Sequence, residues 1–396
     1  MKKLVLNEIC QLLNGYAFKS KQYVDDGIRI IRIANVQKGK IVDDAPCFYP
    51  INTKNEIEKY MLSENDLLIS LTGNVGRVGL LTKDMLPAAL NQRVSCIRIL
   101  DKDVVFFKYL YYYLQQNTFE RDCIKASNGV AQLNLSTKWL ENYEIYLPSL
   151  EEQQRIVAKI EELFSKLDKG VEELNKIKEQ LKIYRQAVLK EAFESYEKYD
   201  LYTLDNLMTL RNGYGKKPDD IGSFKILRIS SVRPMKLNLQ DYRVNRTKFD
   251  DNDIIAENDI LFTRYNGSED YVGVCACVPK LSEAYAYPDK IIKGTPFIKN
   301  KSHSKFLQFY LNYGDARAFI RSNIKTTSGQ KGIAGSDLKK VIIRLPDIQT
   351  QERCVFKIER ELSVCDKIEQ TVNQSLQKAE SLRQSILKKA FEGKLV

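Results

Sequence analysis

The sequence predicts a mixed α/β (α+β) fold in two tandem copies. Each copy is a globular domain followed by one long α-helix, and the two helices pair as an antiparallel coiled coil with pseudo-two-fold symmetry. Three observations predict this. First, "LPSLEEQQRIVAKI" (Leu147–Ile160) returns as "LPDIQTQERCVFKI" (Leu345–Ile358), 198 positions on, and "VLKEAFE" (Val188–Glu194) returns as "ILKKAFE" (Ile386–Glu392) at the same offset. A fixed offset held over about fifty residues is an internal repeat. Second, apolar residues within these repeats recur every seven positions. Third, the stretches between them hold short β-branched runs bounded by Gly and Asn, which read as strands and turns.

The chain divides accordingly into a domain at 1–146, a helical segment at 147–199, a domain at 200–344 and a second helical segment at 345–396. The domains repeat more faintly than the helices. "LLNGYAFKS" (Leu12–Ser20) matches "LRNGYGKKP" (Leu210–Pro218), and "IIRIANV" (Ile30–Val36) matches "ILRISSV" (Ile226–Val232). "ENDLLIS" (Glu64–Ser70) matches "ENDILFT" (Glu257–Thr263), and "SNGVAQ" (Ser127–Gln132) matches "TSGQKG" (Thr327–Gly332). The offset drifts by a few residues at loops while the order holds. "FFKYLYYYLQQNTFERDCIK" and "KFLQFYLNYGDARAFIRSNIK" each read as one helix.

Both repeated segments open with caps. Pro148 restricts the chain before the first helix, Ser149 suits an N-cap and Glu152 completes a capping box. Asp347 stands at the matching place before the second helix and can cap it alone. The first seam runs through Ile160, Leu167, Leu174, Leu181 and Val188, with Leu163, Ile177 and Tyr184 following three behind and Val171 slipped by one. The second runs through Ile358, Cys365, Val372, Ala379 and Ile386, interleaved with Leu362, Ile368, Leu376 and Leu382. Five successive heptads favour a coiled coil over a short surface helix. A helix of about 43 residues is ~65 Å long, enough to separate two domains.

Composition narrows the function. The 396 residues are 43% hydrophobic and 10% aromatic, enough for sizeable cores. No apolar run approaches the length of a spanning helix, and the N-terminal "MKKLVLNEICQLLNGYAF" lacks a proper apolar core and cleavage site for a signal peptide. These features, with eight scattered cysteines that read as reduced, give the expectation of a cytoplasmic protein. Cys275 and Cys277 alone lie close together, on one face of a strand. The net charge is +11, and its excess lies in the domains. Residues 1–146 hold 19 basic and 16 acidic side chains and residues 200–344 hold 24 and 16, whereas the helical segments are close to neutral. Such an excess fits a polyanionic partner.

Catalytic patterns are sparse. With His303 as the single histidine, two homologous domains cannot both carry a histidine-based triad or a multi-histidine metal site. His303, between Ser302 and Ser304, reads as an exposed loop residue. Neither a phosphate-cradling G-x-x-x-x-G-K-[ST] run nor a dinucleotide-binding G-x-G-x-x-G is present, and "GNVGRVG" (Gly73–Gly79) reads as a turn or ligand-facing loop. The cofactor loop and Asn/Asp-Pro-Pro-aromatic run of an adenine methyltransferase are also lacking. "PDKIIK" (Pro288–Lys293) has no well-placed second acid upstream for a nuclease. What remains suits a nucleic-acid reader. The loops "SLTGNVGRVG", "NQRVS", "TRYNGSEDYVG" and "TTSGQKG" mix residues that pair with base edges and with phosphates.

The chain resembles the specificity subunit of type I restriction–modification enzymes. "LPSLEEQQRIVAKIEELFSKLD" closing with "RQAVLKEAFE", and "LPDIQTQERCVFKIERELSVCD" closing with "RQSILKKAFEG", carry the resemblance. The Leu-Pro lead, the Gln-(Gln/Glu)-Arg triplet, the Ile-Glu step and the terminal Lys-x-Ala-Phe-Glu are hallmarks of that family's conserved regions, as is "NGYAF" near the start. The likeness covers essentially the whole chain. It implies two target-recognition domains, each reading one half of a bipartite, asymmetric double-stranded DNA site. The two helices would serve as an antiparallel spacer. It implies no catalytic residues, no metal and no cofactor on this chain. S-adenosylmethionine, ATP and Mg are expected on the partners, two adenine methyltransferase (modification) subunits and two restriction/translocase subunits. One departure is that Gln349-Thr350-Gln351-Glu352 replaces Glu151-Glu152-Gln153-Gln154, so the second capping box is lost.

On residue type and loop context, the candidate DNA contacts are Asn74, Arg77, Gln92 and Arg93 in the first domain and Thr263, Arg264, Asn266, Gln330 and Lys331 in the second. Two rivals stand beside this reading: part of a single-chain restriction enzyme, and a non-catalytic coiled-coil adaptor that holds proteins without touching DNA.

Overall fold

The computed structural model describes residues 2–129, 132–298, 300–327 and 330–395. The matched segments "SNGVAQ" and "TSGQKG" therefore include Val130, Ala131, Ser328 and Gly329, which lie outside the described residues. The chain forms two compact units. One joins Met1–Asn175 with Asn373–Val396, and the other spans Lys176–Val372. Each thus contains one α/β domain, the start of the helix that follows it and the end of the other long helix.

In the first unit a four-stranded antiparallel sheet runs in the order Cys10–Asn14, Val94–Ile99, Leu67–Ser70, Val78–Leu80. A three-stranded sheet sets Ile28–Ile31 antiparallel to Phe48–Tyr49 and parallel to Ala88–Leu90. A short hairpin pairs Val36–Gln37 with Lys40–Ile41, and Lys2–Val5 pairs with Glu144–Leu147. Alternation assigns the central strand to two cores: Leu67 and Ile69 join the helices on one face, while Leu68 joins Val94 and Cys96 on the other.

The second unit repeats this plan. Its four-stranded sheet has the order Met208–Asn212, Ile291–Pro296, Ile260–Thr263, Cys275–Cys277. Ile260, Phe262 and Cys275 face the helices, and Leu261 and Ala276 face the opposite core. A three-stranded ribbon of Tyr265–Asn266, Gln330–Gly332 and Lys325–Thr327 is added. The match "ENDLLIS"/"ENDILFT" is one turn built twice. Asn65 and Asn258 adopt φ of 69° and 71°, which Asn tolerates better than most residues. The following Asp66 and Asp259 carboxylates accept the backbone N–H of Ser63 and Ala256 at 2.7 and 2.8 Å.

Where one helix per domain was expected, there are two: Phe107–Leu114 with Asn117–Ala126, and Lys301–Leu311 with Gly314–Ser322. Extended backbone at Gln116 and a φ of 53° at Gly314 interrupt the α conformation that would join them. His303 is a second correction. It lies in the helix Lys301–Leu311, is 1% exposed, and its Nδ1 is 2.9 Å from Gln351 Oε1.

The long helices span Leu150–Glu194 and Ile348–Phe391. Glu152 N–H reaches Ser149 Oγ at 3.4 Å, and Asp347 accepts both the N–H and the hydroxyl of Thr350 at 2.9 and 3.0 Å. The second helix is therefore capped without a box. Gln153 and Gln351, the first glutamines of the matched Gln-(Gln/Glu)-Arg triplets, are buried and hold each helix to its domain. Gln153 accepts Phe106 N–H at 2.8 Å and donates to Val104 and Pro148 carbonyls; Gln351 donates to Pro346 O at 2.7 Å and meets His303.

Inside the second unit the helices run in opposite directions. Arg185 bonds Asp366 and Glu369 at 2.6 and 3.0 Å, and Lys357 bonds Glu191 at 2.6 Å. Inside the first, Arg383 pairs with Asp168 and lies 4.2 Å from the Phe164 ring centre. Ile160, Leu181, Val188, Ile358, Cys365, Val372 and Ile386 are buried, whereas Leu167, Leu174 and Leu376 are half-buried. Leu382 departs from the expected seam and is 51% exposed. The buried stripe there runs through Ile386, Leu387 and Ala390, and ~100° per residue puts Leu382 at its edge. Ile160 and Ile386 join the first domain's core, and Val188 and Ile358 join the second's. Among the described residues no helix is long and apolar enough to cross a membrane.

Candidate nucleic-acid interface

In each unit, one end of the four-stranded sheet gathers loops from three places in the sequence, and the same backbone bonds hold them. The first loop is "NGY". Tyr16 N–H donates to Leu90 O and Gln92 N–H donates to Tyr16 O, at 2.8 and 3.0 Å. In the second unit Tyr214 N–H donates to Tyr287 O and Asp289 N–H to Tyr214 O, both at 2.9 Å. Glycine precedes each tyrosine because the strands touch there. A Cβ on Gly15 would lie 2.1 Å from Asn91 O, and one on Gly213 would lie 2.2 Å from Tyr287 O.

The second loop leaves the central strand. Gly76 N–H closes it on Ser70 O at 3.0 Å, and Gly273 N–H closes its counterpart on Thr263 O at 2.7 Å. Leu71 N–H bonds Arg93 O at 3.2 Å, as Arg264 N–H bonds Lys290 O at 2.8 Å. Leu135 N–H then bonds Leu71 O, as Ile333 N–H bonds Arg264 O. These bonds match Leu71 with Arg264, Gln92 with Asp289 and Arg93 with Lys290. "PDKIIK" is thereby the structural counterpart of "NQRVS": the same turn closes through Ile291 N–H to Pro288 O and Val94 N–H to Asn91 O. The loop is five residues (71–75) in the first unit and nine (264–272) in the second. The extra length forms the strand Tyr265–Asn266 of the added ribbon.

The expected contacts separate on this scaffold. Asn74, Gln92 and Arg93 are exposed on the first rim. Arg77 is half-buried beside them, its guanidinium donating to Gln37 Oε1 at 2.9 Å. In the second unit Gln330 is exposed, and Asn266 pairs across the ribbon with Lys331 while accepting Ser268 N–H at 3.0 Å. Arg264 is half-buried over the Tyr265 ring, 4.8 Å from its centre. Lys331 is held by Glu269 at 2.9 Å, an ion pair that lowers the Glu269 carboxyl pKa below its ordinary value. Thr263 is a correction: it is fully buried, and its hydroxyl donates to Tyr271 O, closing the loop from inside. Its matched residue, Ser70, makes the same kind of bond to Asn74 O.

Sequence reasoning missed Lys19, Lys217 and Lys290. All three are exposed, and like Arg93 they have no ion-pair partner among the described residues. Lys19 and Lys217 stand opposite one another in the match "LLNGYAFKS"/"LRNGYGKKP", so that pair was visible. Lys290 was hidden because "NQRVS" and "PDKII" have no identical residue in common.

Duplicated α/β domains carrying equivalent loop rims, each joined to a long amphipathic helix, define the class: a two-headed, helix-linked recognition protein. The family model for the type I restriction modification DNA specificity domain matches residues 1–182 and again 190–378. The chain belongs to the family of type I restriction–modification DNA specificity subunits. It is 30% identical over 418 residues to the type I restriction enzyme EcoKI specificity subunit of Escherichia coli, across 98% of this chain and 88% of that one. It is 27% identical over 410 residues to the StySPI specificity subunit of Salmonella potsdam, again across 98% and 88%. A chain solved in work on complex assembly and conformational transition of the type I R-M system shares its fold, with a TM-score of 0.72 at 16% identity, covering 100% of this chain and 98% of that one.

Proposed function

We propose that each α/β domain reads one half of a bipartite, asymmetric double-stranded DNA sequence through its loop rim. The observation that carries this is the matching set of backbone hydrogen bonds under both rims, dressed with different loops and side chains. Such a frame presents two readers in the same way while letting each read a different word. The positive excess of both domains supports a polyanionic ligand. The two long helices form the antiparallel spacer between the readers and the docking surface for two methyltransferase subunits, joined in the full assembly by restriction/translocase subunits. The opposed helix directions within the second unit support that role. The chain itself is non-catalytic and cytoplasmic, and the S-adenosylmethionine, ATP and Mg of the reaction belong to its partners.

The test is co-expression of the chain with a type I methyltransferase subunit of the same host, followed by single-molecule mapping of adenine methylation in host DNA. Methylation at a two-part asymmetric motif, appearing only with this chain present, is the expected result. A stable complex that methylates DNA at unrelated single adenines, with or without this chain, would refute the reading.

A further inference from the structure

The rims divide into positions that are alike in both units and positions that are not. Arg93 and Lys290 occupy one matched position, each accepting the equivalent loop N–H (of Leu71 and Arg264) at its carbonyl and exposing its charged side chain. Lys19 and Lys217 are matched in the sequence, each exposed and three residues after the rim tyrosine, Tyr16 or Tyr214. Lys and Arg are 62 of 396 residues, so cations meeting twice, once at a matched rim position and once at a matched sequence position beside it, is an uncommon coincidence. The neighbouring positions diverge in chemistry. Leu71 faces Arg264 in the match, and Gln92 faces Asp289.

We propose that Lys19, Arg93, Lys217 and Lys290 are phosphate anchors used alike by both readers, while the matched pairs Leu71/Arg264 and Gln92/Asp289 set which bases each reader accepts. The assignment rests on the DNA-reading function proposed above. Its physical basis is that every site offers the same phosphates, which calls for an invariant cation, whereas each half-site offers different base edges. A guanidinium suits guanine O6 and N7, a carboxylate suits the cytosine amino group, and a glutamine suits adenine. Arg264 is held over Tyr265, and one of its guanidinium nitrogens donates to the Asp289 carbonyl at 3.4 Å, so the second rim brings a cationic donor beside the turn that carries a carboxylate.

Two readouts separate the roles. The first is binding of the purified full chain to a random-sequence duplex across a salt series; the second is the methylated motif in cells co-expressing the methyltransferase. Arg93→Gln and Lys290→Gln should each weaken duplex binding several-fold and lower the slope of log K against log salt by about one, the release expected per phosphate contact. Both should leave the motif unchanged, and Arg93→Lys and Lys290→Arg should restore the slope. Arg264→Leu and Asp289→Gln should change the bases in one half of the motif only. Anchor variants that alter the motif at unchanged slope would overturn the assignment, as would reader variants that leave the motif intact. A wild-type chain that shows no salt-dependent duplex binding and directs no motif would instead remove the DNA-reading function, and the assignment with it.

Discussion

Thr263 shows what a residue's type does and does not say about its role. Its hydroxyl, a plausible phosphate or base contact by chemistry, is buried and spent on the Tyr271 carbonyl. Ser70 does the matching work in the first unit with a shorter loop. Thr263→Val keeps the shape and removes the donor, leaving the Tyr271 carbonyl unpaired. That should cost roughly 1–3 kcal/mol of stability in the second unit, read as a shifted denaturation midpoint, with the methylated motif unchanged. A changed motif at unchanged stability would return Thr263 to the DNA surface. Arg264, one residue on, has the opposite character, since its backbone holds the frame while its guanidinium reaches the rim. Residue-type reasoning placed Arg93, Gln92 and Asn74 on the rim because polar side chains in short loops are exposed. It could not separate Thr263 from Arg264, because one step along a strand end turns a side chain from core to solvent.

At the scale of elements, helices and strands were readable wherever a period persisted for several turns, and less so where a short break decided the matter. The heptads placed both long helices, and the repeated "END" runs marked matching turns. Gln116 and Gly314 divided what read as single helices, since a backbone break of one or two residues leaves the apolar pattern on either side intact. His303 was misplaced for a related reason. Its serine neighbours suggested a loop, yet it lies in the first turn of a helix and meets Gln351, the glutamine that holds the second long helix to its domain. Gln153 makes the corresponding attachment without a titratable partner. Burial lowers the His303 pKa below its ordinary 6.5, outweighing the bond to Gln351. The unfolded chain therefore binds the proton more tightly, so stability is full above about pH 6.5 and falls as pH drops below it. The slope approaches at most ~1.4 kcal/mol per pH unit for one proton. Denaturation midpoints at pH 7.5 and 5.5 should differ more for the wild type than for His303→Gln. An equal drop in both would assign the acid sensitivity to other groups.

For the whole molecule, the arrangement of cores matters more than any single contact. Each unit closes its own apolar clusters around its own four-stranded sheet and carries its own rim. The helical segments, close to neutral, contribute little to the charge excess, which is larger in residues 200–344 than in 1–146. Two self-contained readers attached to repeated helices should be separable in function. Replacing residues 200–344 with the equivalent domain of another family member, with Asp347, Gln351 and the helix beyond them kept, should change one half of the methylated motif. The other half and the gap between the halves should stay as they were. The attachment made by Gln351 is the point of risk, because its partner His303 lies in the exchanged domain while Phe106 holds the matching place in the first unit. A chimera that restores a histidine at that position guards against simple misfolding. If a folded, methylating chimera altered both halves of the motif, or the gap, the units would not be independent readers, and specificity would have to be shared between the rims and the helices that join them.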